Sequence, residues 1–150
     1  MMKTLLRSLL PFVAFIGLAL QAQAAGDDWQ TNFKAALATA KAENKPVLVD
    51  FTGSDWCGWC IRLDEEVFSK QVFKDYAKES LVLLEIDFPR RSEQSPALEA
   101  QNEALATKYK VRGFPTILLL SADGEVLART GYQEGGAEAY IEHLKELLKQ

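Results

Sequence analysis

The sequence predicts a single α/β domain: a mixed central sheet with helices on both faces and a C-terminal β-hairpin plus helix. Three observations predict it. Apolar strand-like runs at Val47–Thr52 and at 81–87 are separated by stretches with helical apolar spacing. Two more strand-like runs, Thr116–Leu120 and 125–130, flank the turn Ala122-Asp123-Gly124 and should pair as a hairpin. A last amphipathic stripe, Tyr140, Ile141, Leu144, Leu147 and Leu148, closes the chain. Strands joined through helices lie parallel with right-handed crossovers, and the hairpin adds an antiparallel edge.

The N-terminal segment stands apart from this domain. Lys3 and Arg7 precede an apolar run at 9–20, and Ala22-Gln23-Ala24 places small residues where a signal peptidase reads. This is the pattern of a secretory signal peptide at residues 1–24, with residues 25–150 as the exported domain. The apolar run is short for a membrane span, which needs ~20 residues. A periplasmic or secreted location follows, with no membrane attachment after cleavage. Losing Lys3 and Arg7 moves the formal charge from −4 to −6. An acidic domain with no basic stripe is a poor nucleic-acid binder. A monomer is expected.

The remaining elements follow in order. Asp28 or Thr31 can cap a first helix carrying Phe33, Ala36, Leu37 and Ala40, which ends over Glu43, Asn44, Lys45 and Pro46. The run Val47–Thr52 is apolar on both faces except at Asp50, so it reads as a central strand. A helix with Ile61, Leu63, Val67 and Phe68 should bend or break near Ser69, before the stripe Val72, Phe73, Tyr76 and Ala77. After the strand at 81–87 come a polar loop at 88–96 and a helix at 97–110 with Leu98, Leu105 and Tyr109 on one side. Arg90 and Arg91 read as part of a solvated loop, with a partner-contact surface as the alternative.

The only cysteines, Cys57 and Cys60, sit where the central strand hands over to a helix, beside Trp56 and Trp59. The first turn of a helix has unpaired N–H groups and the positive end of the helix dipole. A thiolate there is stabilised, and cysteine pKa values in such places fall from ~8.5 to ~3.5–7.5. The thiolate is the nucleophile of disulfide exchange. Cys57 reads as the exposed attacking thiol and Cys60 as the more buried resolving one. A structural staple is the competing reading, but the loop it would close is too short to constrain much of the unfolded chain. A metal site is another. Zinc wants three or four protein ligands, and beyond the two sulfurs the only histidine is His143, off the last helix's apolar stripe and read as a surface residue. A non-catalytic binding module stays open as the alternative class, either a carrier of copper(I) on the two thiolates or a partner-binding module. Asp50, if buried, would have a raised pKa suited to acid–base work; a solvent-facing strand end is the alternative.

The motifs VLVDF, Trp-Cys-Gly-x-Cys, Val-x-Gly-Phe-Pro-Thr, the Asp-Gly hairpin and the closing helix occur in the order found in the thioredoxin superfamily. The chain resembles that family over residues 29–150, and with its export signal it resembles the periplasmic, thioredoxin-like disulfide-exchange branch. The resemblance implies a thioredoxin fold and a thiol–disulfide oxidoreductase, leaning to the reductase type, with an oxidase or isomerase of the same fold as alternatives. It implies attack by Cys57, resolution by Cys60 and a proton shuttled by Asp50. It also implies a cis-proline at Pro115 facing the cysteines and holding substrate, with Phe114 bordering it. Trp56 would cover the disulfide, and Gly58 and Trp59 would tune its potential. No bound cofactor is implied, because the Cys57–Cys60 disulfide is the redox centre; the partners are protein thiols or disulfides and a redox partner protein. Four departures stand out. One extra residue lies between Asp50 and Cys57, and Trp59 stands where thioredoxin has proline. No lysine occurs in 81–87, where the family often has one beside the acid, and extra residues fall around 88–102.

Overall fold

The computed structural model describes residues 28–149. The signal peptide read at 1–24 lies outside the described residues. Strand β1 (Trp29–Gln30) leads to helix α1 (Phe33–Glu43) and strand β2 (Val47–Thr52). Helix α2 (Gly58–Leu63) runs on through a π-helical stretch (Asp64–Phe68) to helix α3 (Gln71–Ser80) and strand β3 (Val82–Asp87). Helix α4 (Pro96–Lys108), strands β4 (Thr116–Leu120) and β5 (Val126–Thr130), and helix α5 (Gly136–Leu148) complete the chain. The sheet order is β1-β3-β2-β4-β5. β1, β3 and β2 are parallel, and β4 and β5 are antiparallel additions.

The alternation of side chains along each strand divides the core in two. Leu48, Leu83, Ile117 and Leu119 face Leu63, Val67, Phe73, Tyr140 and Leu144, from the α2, α3 and α5 side. Val47, Val49, Phe51, Leu84, Ile86 and Leu118 face Ala36, Ala40, Leu105 and Tyr109 on α1 and α4. All six residues of β2 are buried, as expected of a central strand. Val126 and Leu127 are exposed, because β5 is a sheet edge.

Several local expectations are corrected. The cap of α1 is Asn32, not Asp28 or Thr31. Asn32 has the extended backbone a cap requires, and its side chain accepts the Ala35 N–H at 2.9 Å. Helix α1 ends on Asn44 in the left-handed conformation (φ 52°). Pro96 belongs to α4 rather than to the loop before it, at a first-turn position where its missing N–H costs nothing, behind the Ser95 cap. β1 was not foreseen, since two residues carry no periodicity; it forms because Trp29 and Gln30 pair with Leu83 and Leu84. The expected break near Ser69 is real: the π-helical stretch ends there, with the Ser69 N–H donating to the Asp64 carbonyl at 2.9 Å.

Candidate active site

Strand β2 delivers the chain to a tight turn at Gly53. The N–H groups of Trp56 and Cys57 both donate to the Gly53 carbonyl, at 3.2 and 2.8 Å. A Cβ on Gly53 would lie 2.5 Å from the Trp56 indole, so only glycine lets that ring lie against the backbone. Cys57 is the N-cap of α2, and its sulfur accepts the Cys60 N–H at 3.3 Å. Cys57 and Cys60 form a disulfide with their Cα atoms 5.2 Å apart. The expected exposure of Cys57 is corrected: it is 7% exposed against 4% for Cys60. The folded Gly53 turn draws Cys57 into the surface instead of leaving it proud of it.

The flanking aromatics separate into two groups. Trp56 donates its Nε1–H to the Phe88 carbonyl at 2.7 Å and meets Phe114 edge-on at 6.0 Å. Phe88 stacks on Phe114 at 5.1 Å. The Phe114–Pro115 peptide is cis, and both residues are half-buried. Trp59, 54% exposed, is not a core residue; its ring meets Tyr132 at 5.2 Å. Arg62 lies near both of those rings and donates to Glu66 at 2.7 Å, while the Tyr132 hydroxyl donates to the same carboxylate at 2.6 Å. Those two hydrogen bonds, Tyr132 first, hold the Glu66 carboxyl below its ordinary range. Gly58 is exposed, and a Cβ there would meet nothing within 4 Å.

The 88–96 loop is not simply solvated, which corrects the reading of Arg90. Its guanidinium lies 3.5 Å above the centre of the Trp56 ring, a cation–π contact. The Asp55 carboxylate accepts three successive backbone N–H groups, from Arg90 at 2.9 Å, Arg91 at 2.7 Å and Ser92 at 3.1 Å. The Arg90 N–H leads the causes that hold the Asp55 carboxyl below its ordinary range. Ser54 donates its N–H and its hydroxyl to the Asp87 carboxylate at 2.9 and 2.6 Å. The two departures in length therefore meet: the longer 53–56 turn grips the longer segment after β3. Asp55→Ala is expected to release that loop, speeding hydrogen exchange of the Arg90, Arg91 and Ser92 amides by about tenfold or more. Unchanged protection, read by amide exchange mass spectrometry, would show that Asp55 is not the clamp.

Asp50 is 8% exposed and faces the α2 and α5 side of the sheet, in register with Glu85 on β3 and Ile117 on β4. Its Oδ1 has no hydrogen-bond partner among the described residues. Burial, first, and then the neighbouring carboxylates Glu85, Asp64 and Asp87 push its pKa well above the ordinary value. Where the family often sets a lysine on the adjacent strand, this chain sets a glutamate. His143 is half-buried rather than on the surface, 2.8 Å from the Thr130 hydroxyl and edge-on to Tyr140, because α5 packs along β5. No group of three or more His, Cys, Asp or Glu among the described residues is arranged to hold a metal ion.

Asp55, Phe88, Arg90 and Tyr132 were not singled out as site residues. The only sequence signal for the first three was the pair of length departures; Tyr132 left none.

A disulfide whose first cysteine caps the helix after the central strand, on this sheet order, defines the class of thioredoxin-fold disulfide-exchange proteins. Residues 33–147 match the thioredoxin-like domain, and the chain belongs to that family. It is 38% identical over 126 residues to the disulfide bond reductase DsbH of Chlamydia pneumoniae, covering 84% of this chain and 75% of that protein. It is 31% identical over 103 residues to the thioredoxin-related protein DsbJ of Chlamydia pneumoniae, covering 69% of this chain but only 30% of that longer protein. A solved structure of a DsbH oxidoreductase superposes with a TM-score of 0.78 at 35% identity, covering 95% of each chain.

Proposed function

We propose that this chain reduces protein disulfides outside the cytoplasm and is recharged by a redox partner protein. The chemistry is that of a thiol–disulfide oxidoreductase of reductase type, as the likeness to the disulfide bond reductase DsbH supports. The observation that carries the reading is Cys57 at the N-cap of α2, bonded to Cys60. In the reduced protein the Cys57 thiolate sits against the unpaired N–H groups of the first turn, which lower its pKa. It attacks one sulfur of a substrate disulfide. A Cys57–substrate disulfide forms, and the other substrate sulfur leaves as a thiolate and takes up a proton. Cys60 then loses its proton, with Asp50 as acceptor, and attacks the Cys57 sulfur. The substrate's remaining sulfur leaves as a thiolate and is protonated. Two electrons have passed to the substrate, and the Cys57–Cys60 disulfide remains. A dithiol of the redox partner restores the reduced pair by the same two exchanges in reverse. Extracytoplasmic action is supported by the export pattern at residues 1–24. Among the described residues no helix is long and apolar enough to cross a membrane.

The test is trapping. A Cys60→Ser variant, expressed with its own leader, attacks but cannot resolve, so substrates are expected to accumulate disulfide-linked to Cys57 and to be released by dithiothreitol. Absence of such adducts would overturn the reading. Equilibration of the wild type with glutathione tests direction. A potential nearer the ~−270 mV of thioredoxins is expected; one near the ~−120 mV of strong oxidants would remove the reductase assignment.

A further inference from the structure

The aromatic wall of the site is also one wall of a second feature. An open groove of about 640 Å³ runs beside Phe114 and Pro115 and is lined further by Lys110, Arg112, Gly113, Thr116 and Arg129. Phe114 belongs to both, since it meets Trp56, the residue before Cys57. A chain segment lying over Phe114 therefore touches both the aromatic wall beside the cysteines and this groove.

The groove's charge is opposite to that of the protein. The chain carries 21 acidic against 17 basic residues, yet the groove is lined by three cations and no carboxylate. None of Lys110, Arg112 and Arg129 makes an ion pair within 4.0 Å among the described residues. Arg129 is anchored by donating to the Tyr109 carbonyl, which holds its charge at the groove. Beyond Gly113 the floor is open, with nothing within 4 Å of where a Cβ would stand. The sign is local: a second depression, lined in part by Phe88, carries Glu93, Glu99 and Glu103 instead. Three unneutralised cations at the edge of a reactive site attract and orient a segment of opposite charge, and they do so less as salt screens them.

We infer that this groove is a docking surface for acidic peptide segments, and that it selects protein disulfides whose reacting cysteine is flanked by Asp or Glu. The inference rests on the disulfide-reductase reading above and adds the substrate's charge class to it. An extended segment suits the open shape, with its carboxylates against Lys110, Arg112 and Arg129 and its apolar positions against Phe114 and Pro115.

The experiment uses two peptides of one neutral core around a single cysteine, flanked by glutamates in one and lysines in the other. Each is joined by a disulfide to 2-mercaptoethanol. Pre-reduced protein is mixed with each peptide, and its oxidation is followed by tryptophan fluorescence in single turnovers. Each rate constant is normalised to that of dithiothreitol with the same peptide, which removes differences in intrinsic reactivity. The acidic peptide is expected to react about tenfold faster at low ionic strength, falling to less than about twofold near 0.5 M salt. Lys110→Glu/Arg112→Glu should erase or invert the ratio. Lys34→Glu/Lys74→Glu, which makes the same change in net charge away from the groove, should leave it in place. If the reversed pair does not fold, Arg112→Gln alone should lower the ratio about threefold. A wild-type ratio near one, or a preference that survives reversal in the groove, overturns the docking surface while the reductase reading stands. No reaction with either peptide overturns both.

Discussion

Cys57→Ser is expected to lose disulfide reduction by about a thousandfold or more, down to background, while the fold and its stability stay close to those of the wild type. The loss is chemical. A serine hydroxyl at this N-cap is not ionised near neutral pH, and oxygen cannot take the place of the thiolate that sulfur exchange requires. The stability follows from the same position. Serine is among the favoured N-cap residues, and its oxygen can accept the Cys60 N–H that the sulfur accepts now at 3.3 Å. Losing the disulfide removes a cross-link between residues three apart, which constrains little of the unfolded chain. Insulin reduction measures the first expectation and thermal unfolding by circular dichroism the second. More than a tenth of wild-type activity would show that Cys57 is not the attacking sulfur. A large fall in Tm with lost activity would mean that the disulfide was serving as a staple.

Asp50→Asn is expected to trade rate for stability, and to do so in a pH-dependent way. Asp50 is buried on the sheet, with Glu85, Asp64 and Asp87 near enough to oppose its ionisation. Its folded-state pKa is raised above the unfolded value. Below the unfolded pKa the carboxyl is protonated in both states and costs nothing. As pH rises from about 4 the unfolded chain releases this proton while the folded protein keeps it, so folding loses stability until the raised folded pKa is passed. The amide in Asn is the same size and never ionises. The variant should therefore melt higher at pH 8, by about 4 °C or more, with the gain vanishing near pH 4. The cost falls on resolution. On the proposed proton path the amide removes the acceptor for Cys60, and decay of the mixed disulfide should slow by about a hundredfold, the low end of general-base effects. Its pH profile should also lose the step that the raised carboxyl imposes. A Tm gain of equal size at both pH values would show that burial of a charge is not its source. An unaltered resolution rate and profile would remove Asp50 from the proton path.

The sequence was readable wherever the information is local. Unbroken apolar runs placed β2, β3 and β4 to within a residue, and helical spacing marked the buried stripes of α3 and α5, because each of these patterns is complete within one short stretch of chain. The cysteines at the junction between strand and helix were legible for the same reason. Readings failed where a partner far along the chain decides. Strand β1 exists only because Trp29 and Gln30 pair with Leu83 and Leu84, more than fifty residues away. Arg90 looked like a solvated cation until Asp55 fastened its loop across Trp56.

The site divides along the same line. The sequence by itself determined the chemistry: two sulfurs at the start of a helix, an acid in a central strand, and proline after phenylalanine ahead of the hairpin. Tertiary structure alone decided the setting of that chemistry. It put Glu85 in register with Asp50, tucked Cys57 into the Gly53 turn, and gathered Lys110, Arg112 and Arg129 beside Phe114. Chemical identity and local periodicity are carried by each short segment, whereas register, burial and the pooling of charge depend on how distant segments pair across the sheet, and no window of neighbouring residues holds that information.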